Sequence, residues 1–119
     1  RYFDGLKDLD LITLPTVRTD RESSWHLFPI RLNLDMITKN RAQIIDELKN
    51  NNVGVGVHFM PVHQHLYYSE TFKLDDKNYP VASGAFPRLM SLPIYPGMTD
   101  QSVEKVINTL IEILNKYRR

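Results

Sequence analysis

Residues Val53–Tyr68 read VGVGVHFMPVHQHLYY, an apolar stretch that stops at a proline and opens into histidines and tyrosines. Side chains alternate faces along a strand, which predicts a strand over Val53–His58 with Val53, Val55 and Val57 on one face and Gly54, Gly56 and His58 on the other. The valine face belongs to a core. The glycine face is nearly bare, and glycine inside a strand often marks the close approach of a ligand or another backbone. His58 stands at the end of that face. Imidazole both donates and accepts hydrogen bonds and is the side chain whose ordinary titration range lies nearest neutrality, which suits contact with phosphate, hydroxyl or carboxylate. The plainer reading of His58 is a solvated or hydrogen-bonded histidine at a strand end.

Working back from this stretch, Asn50, Asn51 and Asn52 close a helix that begins near Thr38. Its apolar stripe is Ile37, Arg41, Ile44, Ile45 and Leu48, and its wet face Lys39, Asp46, Glu47 and Lys49. Asparagine tolerates the left-handed conformation that ends a helix, so the Asn run serves as its C-cap. Before it, WHLFPIRLNL alternates as a strand with Ile30, Leu32 and Leu34 on one face and Arg31 and Asn33 on the other. Pro29 cannot donate to a ladder, which places that strand at an edge or at a bulge. The chain opens on Arg1 with RYFDGLKDL, which reads as the tail of a helix cut from something longer, with Gly5 as C-terminal punctuation. A piece of a longer polypeptide is expected.

Working forward, Pro61–Asp76 is irregular, with a helical turn around Leu66–Phe72, and is long enough to be a working loop. Pro80 can open a short helix, Pro87 must interrupt or restart it, and a brief strand follows at Met90–Leu92. The last element is a helix N-capped by Thr99, with Val103, Val106, Ile107, Leu110, Ile113, Leu114 and Tyr117 at helical spacing. Lys116, Arg118 and Arg119 complement the negative end of that helix. The element order βαβ, loop, αβα implies a small two-layer α/β domain with a mostly antiparallel or mixed sheet and helices packed on it.

At 119 residues the chain fits one domain that buries roughly two thirds of its unfolded surface. Hydrophobic residues make up 42% and charged residues 24%, which disfavours disordered and fibrous classes. A net charge of +1 gives no electrostatic footprint for nucleic acid and no polybasic membrane patch. No apolar run approaches a membrane span. With no cysteine, disulfides and thiolate metal sites are excluded, and a cytoplasmic location is expected.

Taken together, HLFPIRL at His26–Leu32, GVHFMPVHQHLYY at Gly56–Tyr68 and PVASGAFPRLMSLPIYPGMT at Pro80–Thr99 resemble the C-terminal region of the DegT/DnrJ/EryC1/StrS family of aminotransferases. The three segments occur in family order, and the resemblance covers essentially all of residues 1–119. Within the family, HFMPVHQHLYY and SLPIYPGMT look most like enzymes that aminate C4 of UDP-linked 4-keto sugars, the aminoarabinose-type branch. The resemblance implies the C-terminal small domain of a fold type I, pyridoxal-phosphate-dependent homodimer, acting on a nucleotide sugar with glutamate and 2-oxoglutarate in bacterial surface-glycan (lipopolysaccharide) synthesis. It also implies a Schiff-base lysine and a carboxylate for the pyridinium nitrogen. Neither is recognisable here: Lys7, Lys39, Lys49, Lys73, Lys77, Lys105 and Lys116 fall in loops or on helix surfaces, outside the family's lysine motif. The chain alone is therefore expected to be inactive and to bind no cofactor. Two departures from the family pattern are Asn52, where relatives usually have glycine, and Pro87, where they usually continue a helix.

The resemblance places His58 near the sugar nucleotide and makes His63, the second histidine of the HF-x-P-x-H pattern, either a substrate contact or a loop anchor. Gly56 and Tyr95 are further substrate-side candidates, against plain readings as backbone and turn. His65 and His26 read as exposed and structural, Tyr67 and Tyr68 as packing aromatics, and Trp25, Phe28 and Phe59 as core. The competing class is an autonomous α/β binding or regulatory module in which His63 and His65 chelate a metal, a weak site without a third ligand. Apolar stripes of the helices are expected to be partly exposed in the isolated chain.

Overall fold

A computed structural model describes residues 1–119. Five helices and three strands run α1 (Tyr2–Leu6), β1 (Ile12–Thr13), β2 (Phe28–Leu32), α2 (Arg41–Asn50), α3 (Leu66–Phe72), α4 (Pro80–Ala85), β3 (Leu89–Leu92) and α5 (Asp100–Lys116). Single 3₁₀ turns at Val62–Gln64, Asp76–Asn78 and Phe86–Arg88 join the middle elements. The sheet has the order β1-β2-β3 and is antiparallel throughout. The α/β class and antiparallel sheet agree with the sequence. No helix is long and apolar enough to cross a membrane.

Alternation along β2 and β3 divides the sheet into two faces. Phe28, Ile30 and Leu32 face inward, with Phe28 opposite Leu92 and Ile30 opposite Met90. They join Tyr2 and Leu6 of α1, Ile44 and Leu48 of α2, and Val106, Ile107, Leu110, Ile113 and Leu114 of α5 in one buried cluster. Burial of each such side chain contributes about 1.5–3 kcal/mol. Gly5 lies inside α1 rather than punctuating its end. A Cβ at Gly5 would sit 2.7 Å from Ile107 Cδ1, so the missing side chain lets α1 lie against α5.

Helix α2 has firm ends. Asn40 and Gln43 form a reciprocal capping box, with Gln43 N–H donating to Asn40 Oδ1 at 3.0 Å and Asn40 N–H to Gln43 Oε1 at 3.1 Å. At the other end Asn52 adopts φ 59°, while Val53 N–H donates to Leu48 O and Asn52 N–H to Lys49 O, both at 2.9 Å. This Schellman arrangement is what the asparagine run predicts. Arg41 departs from the predicted apolar stripe. Its guanidinium lies 4.7 Å from the Phe86 ring centroid and donates to the carbonyls of Phe86 and Leu89, the latter at 3.0 Å. It thereby ties α2 to the entry of β3.

The strand predicted over Val53–His58 does not form. One bridge remains, in which Gly56 and Ser91 exchange N–H···O bonds of 2.9 Å. Two glycines raise the cost of ordering the segment and offer no side chains to pack, so pairing stops after one residue. Val53 is buried and Val55 half-buried, but Val57 is 55% exposed. The expected edge position of Pro29 is resolved in an unexpected way. Strand β2 is central, yet Ser91 spends its backbone groups on Gly56, so the Pro29–Ser91 pair exchanges no hydrogen bonds. The proline nitrogen therefore faces the β1 flank, where β1 pairs only with Arg31 and Leu32 and does not reach Pro29.

Asn52→Gly should leave stability unchanged or slightly raised, whereas Asn52→Val, forced to the same positive φ, should lose about 1–2 kcal/mol; urea denaturation followed by circular dichroism reads both.

Candidate functional site

Opposite the core, the outer sheet face carries two rows of residues. Gly56, Ser91 and Pro29 form one row, and Leu89, Arg31 and Thr13 the other. A Cβ added at Gly56 would lie 3.7 Å from Ser91 Cβ, so the bare side of Gly56 opens onto this face. His58 follows two residues later. Its Nε2 and the Ser91 hydroxyl share a hydrogen bond of 3.0 Å, while Nδ1 has no partner. The ring is half-buried and held at one nitrogen, with the other free to meet a ligand. Gly54 has nothing within 4 Å of its Cβ position.

His63 sits in a different environment. It is 7% exposed and stacks on Tyr79 with ring centroids 4.5 Å apart. Its Nε2 lies 3.0 Å from Asp76 Oδ1 and 2.9 Å from Ser83 Oγ; the same Asp76 oxygen accepts from Gln64 Nε2 at 2.8 Å and from the Ser83 hydroxyl at 2.9 Å. This polar knot pins the 3₁₀ turns at Val62–Gln64 and Asp76–Asn78 to α4. Hydrogen bonds from Gln64, then Ser83, then His63 hold the Asp76 carboxyl below its ordinary range. His65 bonds instead to Met60 O at 3.1 Å. His63 and His65 thus address different partners, and no three His, Asp or Glu side chains group as a metal site would require.

Tyr95 does not join His58. It is 55% exposed beside Asn52, Gly54, Met98 and Lys105 in a separate cleft of about 370 Å³. Nearby, Tyr2 donates to Pro93 O at 2.8 Å, and burial, reinforced by the Tyr95 phenol, pushes the Tyr2 hydroxyl up to about 12. His26 is exposed. Of the three aromatics expected in the core, Phe28 is buried and Trp25 half-buried against it, but Phe59 is fully exposed. The side chain of His58 turns onto the sheet, and Phe59 falls outside the part of the segment that β3 pins. Tyr67 and Tyr68 are exposed; they meet edge to face, and Tyr68 also stacks with Phe72. The expected partial exposure of the helices' apolar residues divides by element: the main stripes of α2 and α5 are buried, whereas α3 and α4 expose Leu66, Tyr67, Phe72 and Val81, and most of the exposed large apolar side chains lie on the arm from Val57 to Val81.

With this geometry in view, residues 1–111 match the DegT/DnrJ/EryC1/StrS aminotransferase family. The chain belongs to that family. It is 33% identical over 115 residues to the spore coat polysaccharide biosynthesis protein SpsC of Bacillus subtilis, covering 96% of this chain and 30% of SpsC. The uncharacterized protein MJ1066 of Methanocaldococcus jannaschii is 38% identical over 117 residues, covering 98% of this chain and 30% of MJ1066. Among solved structures, Spr1654 of Streptococcus pneumoniae, assigned as a sugar aminotransferase, superposes in its PMP-form with a TM-score of 0.83 at 28% identity, covering 97% of this chain and 28% of that one. The chain thus spans about 30% of the length of the curated relatives it matches.

Lys105 of α5 lines the separate cleft of Tyr95. Sequence reasoning missed Ser91, although the alternation of Met90 and Leu92 into the core already sends it outward. It also missed the Asp76 and Ser83 partners of His63, which no local period could reveal.

Because its folded-state pKa is depressed, Asp76 stabilises the arm above the ordinary carboxylate range, and that contribution is lost as pH falls through the depressed value. Pepsin cleavage between Met60 and Ala85 should therefore accelerate as pH drops below about 4. Asp76→Ala should show the corresponding loosening to thermolysin at neutral pH, with the α5 core still protected.

Proposed function

We propose that this domain is the substrate-covering wall of a pyridoxal-phosphate-dependent sugar aminotransferase, in which an amino group passes from glutamate to the keto carbon of a nucleotide sugar. The observation that carries the reading is the half-buried His58, anchored by the buried Ser91 beside Gly56, whose bare side opens onto the outer sheet face. An imidazole with one nitrogen fixed and one free can orient a sugar hydroxyl or a phosphate oxygen without moving on binding.

The substrate is a UDP-linked 4-keto sugar of the aminoarabinose type, and the product serves bacterial surface glycans, lipopolysaccharide among them. Support comes from the HFMPVHQHLYY and SLPIYPGMT segments and from family membership. The cofactor supplies the electron sink, and the lysine and carboxylate that hold it belong to the rest of the parent polypeptide. On this reading the 119-residue chain alone binds no cofactor and transfers no amino group.

Gly56 gives the substrate room. His63 acts as the anchor of the arm rather than as a direct contact, and Tyr95 borders the site at most from its neighbouring cleft. The parent is a cytoplasmic homodimer, and the apolar arm from Val57 to Val81 is the surface that its large domain or partner subunit covers. The metal-binding module is not favoured, since His63 is already committed to Asp76 and Ser83.

In the parent enzyme, His58→Ala should lower kcat/KM for the sugar nucleotide about tenfold to a hundredfold, the equivalent of one ligand hydrogen bond. The visible absorbance of the bound cofactor should be unchanged. Loss of that absorbance with normal sugar-nucleotide affinity would remove His58 from the substrate site.

A further inference from the structure

Seven of the eight arginines are engaged. Arg1 pairs with Asp100 and Glu104, Arg18 and Arg21 with Asp20, Arg88 with Asp35, and Arg118 with Asp10, while Arg41 and Arg119 donate to backbone carbonyls. Arg31 alone makes no ion pair and no side-chain hydrogen bond, although it stands in the middle of the sheet on its central strand. Its cross-strand neighbours, Thr13 and Leu89, are both neutral.

Arg31 lines a cleft of about 430 Å³ with Thr13, Asn33, Gly84, Ala85 and Arg88, and no carboxylate lines it. Asp35 holds Arg88 from outside the cleft, at 3.1 Å, with its own side chain 79% exposed. The cleft is therefore net positive. Arginine presents a planar fork of donors that matches phosphate oxygens two at a time, and Arg31 rises from a strand fixed on both sides, which limits the entropy lost on binding.

The position of the cleft matters as much as its charge. Arg31 is opposite Leu89, so Ser91 is its diagonal neighbour on the same face, with Cα atoms about 7–8 Å apart in such pairs. Ser91 is the residue that holds His58. We propose that the Arg31–Arg88 cleft binds the diphosphate of the sugar nucleotide whose sugar reaches His58. Arg31 takes the diphosphate from the sheet, and Arg88 closes on it from the 3₁₀ turn at Phe86–Arg88. This rests on the reading of His58 as a substrate-side residue, but its residues and its test are separate.

Inorganic pyrophosphate, titrated into the 119-residue chain at low and at physiological salt, is the direct probe. Binding should be saturable, should weaken with salt, and should shift the Nε–Hε resonances of Arg31 and Arg88 in nitrogen-edited spectra. Arg31→Gln should raise the dissociation constant at least tenfold, Arg31→Lys should recover part of the loss, and Arg18→Gln, whose guanidinium pairs with Asp20 outside the cleft, should leave it unchanged. Arg88→Gln, whose only partner is the exposed Asp35, serves as the second variant should Arg31→Gln misfold by circular dichroism, and is expected to weaken binding as well. Pyrophosphate that binds wild type no better than either folded variant overturns the proposal.

In the parent enzyme, Arg31→Gln should raise KM for the sugar nucleotide about tenfold. If only His58→Ala impairs sugar-nucleotide use, the diphosphate lies elsewhere and the His58 reading stands. If neither variant does, both fail. If pyrophosphate binds the isolated chain but fails to compete with the sugar nucleotide in the parent, another part of the polypeptide fills the cleft and the proposal is overturned.

Discussion

The antiparallel register of β2 against β3 fixes what lies on either side of this sheet. With Ile30 set against Met90 and Phe28 against Leu92, the residues between them have no choice of face. Pro29, Arg31, Leu89 and Ser91 must point away from the core helices α1, α2 and α5. A slip of one residue would carry the Arg31 guanidinium into an apolar cluster and expel Ile30, which is fully buried. The core and the candidate site are thus two consequences of one pairing. The apolar side chains that stabilise the register also aim the polar ones.

Beyond the sheet, short polar devices add precision where burial cannot. The Gly56–Ser91 exchange brings the end of the Val53–His58 segment to the edge of β3, and the Ser91 hydroxyl then fixes the imidazole that follows. Arg41 performs a comparable task at the other end of β3 by gathering the carbonyls of Phe86 and Leu89. Strand β3 is only four residues long, so neither end is far from one of these attachments. Its brevity makes them necessary, because few ladder bonds are available to hold it in place.

How much of this was readable in the sequence depended on whether the signal was local. Helix α5 showed its cap in Thr99 and its stripe in Val106, Leu110 and Ile113, because a helix writes its buried face every three or four residues. The Asn run before Val53 was equally plain, since a left-handed C-cap needs few residue types. By contrast, VGVGVH fits both a paired strand and an extended segment touching its neighbour once, and only β3 decides between them. Strand β1, two residues long, is too short to display a period. Gly5 looked like punctuation because the helix it packs against lies a hundred residues away in sequence. The site divides in the same way: His58 and Gly56 stood out by type and spacing, whereas the solitude of Arg31 could be seen only once every other arginine had found its partner.

The arm from Val57 to Val81 shows how polar and apolar interactions can exchange their usual roles. Elsewhere in the chain, apolar burial supplies the order and polar groups face water. In the arm, order comes from His63, Asp76, Ser83 and Gln64, while Phe59, Val62, Leu66, Tyr67 and Phe72 remain open to solvent. A segment anchored in this way does not consume its apolar side chains to hold itself in place, and those side chains stay available to another surface. An arm stabilised by packing the same residues inward would be ordered but would present a polar exterior. The buried histidine therefore keeps the arm in shape while its aromatic side chains remain uncovered.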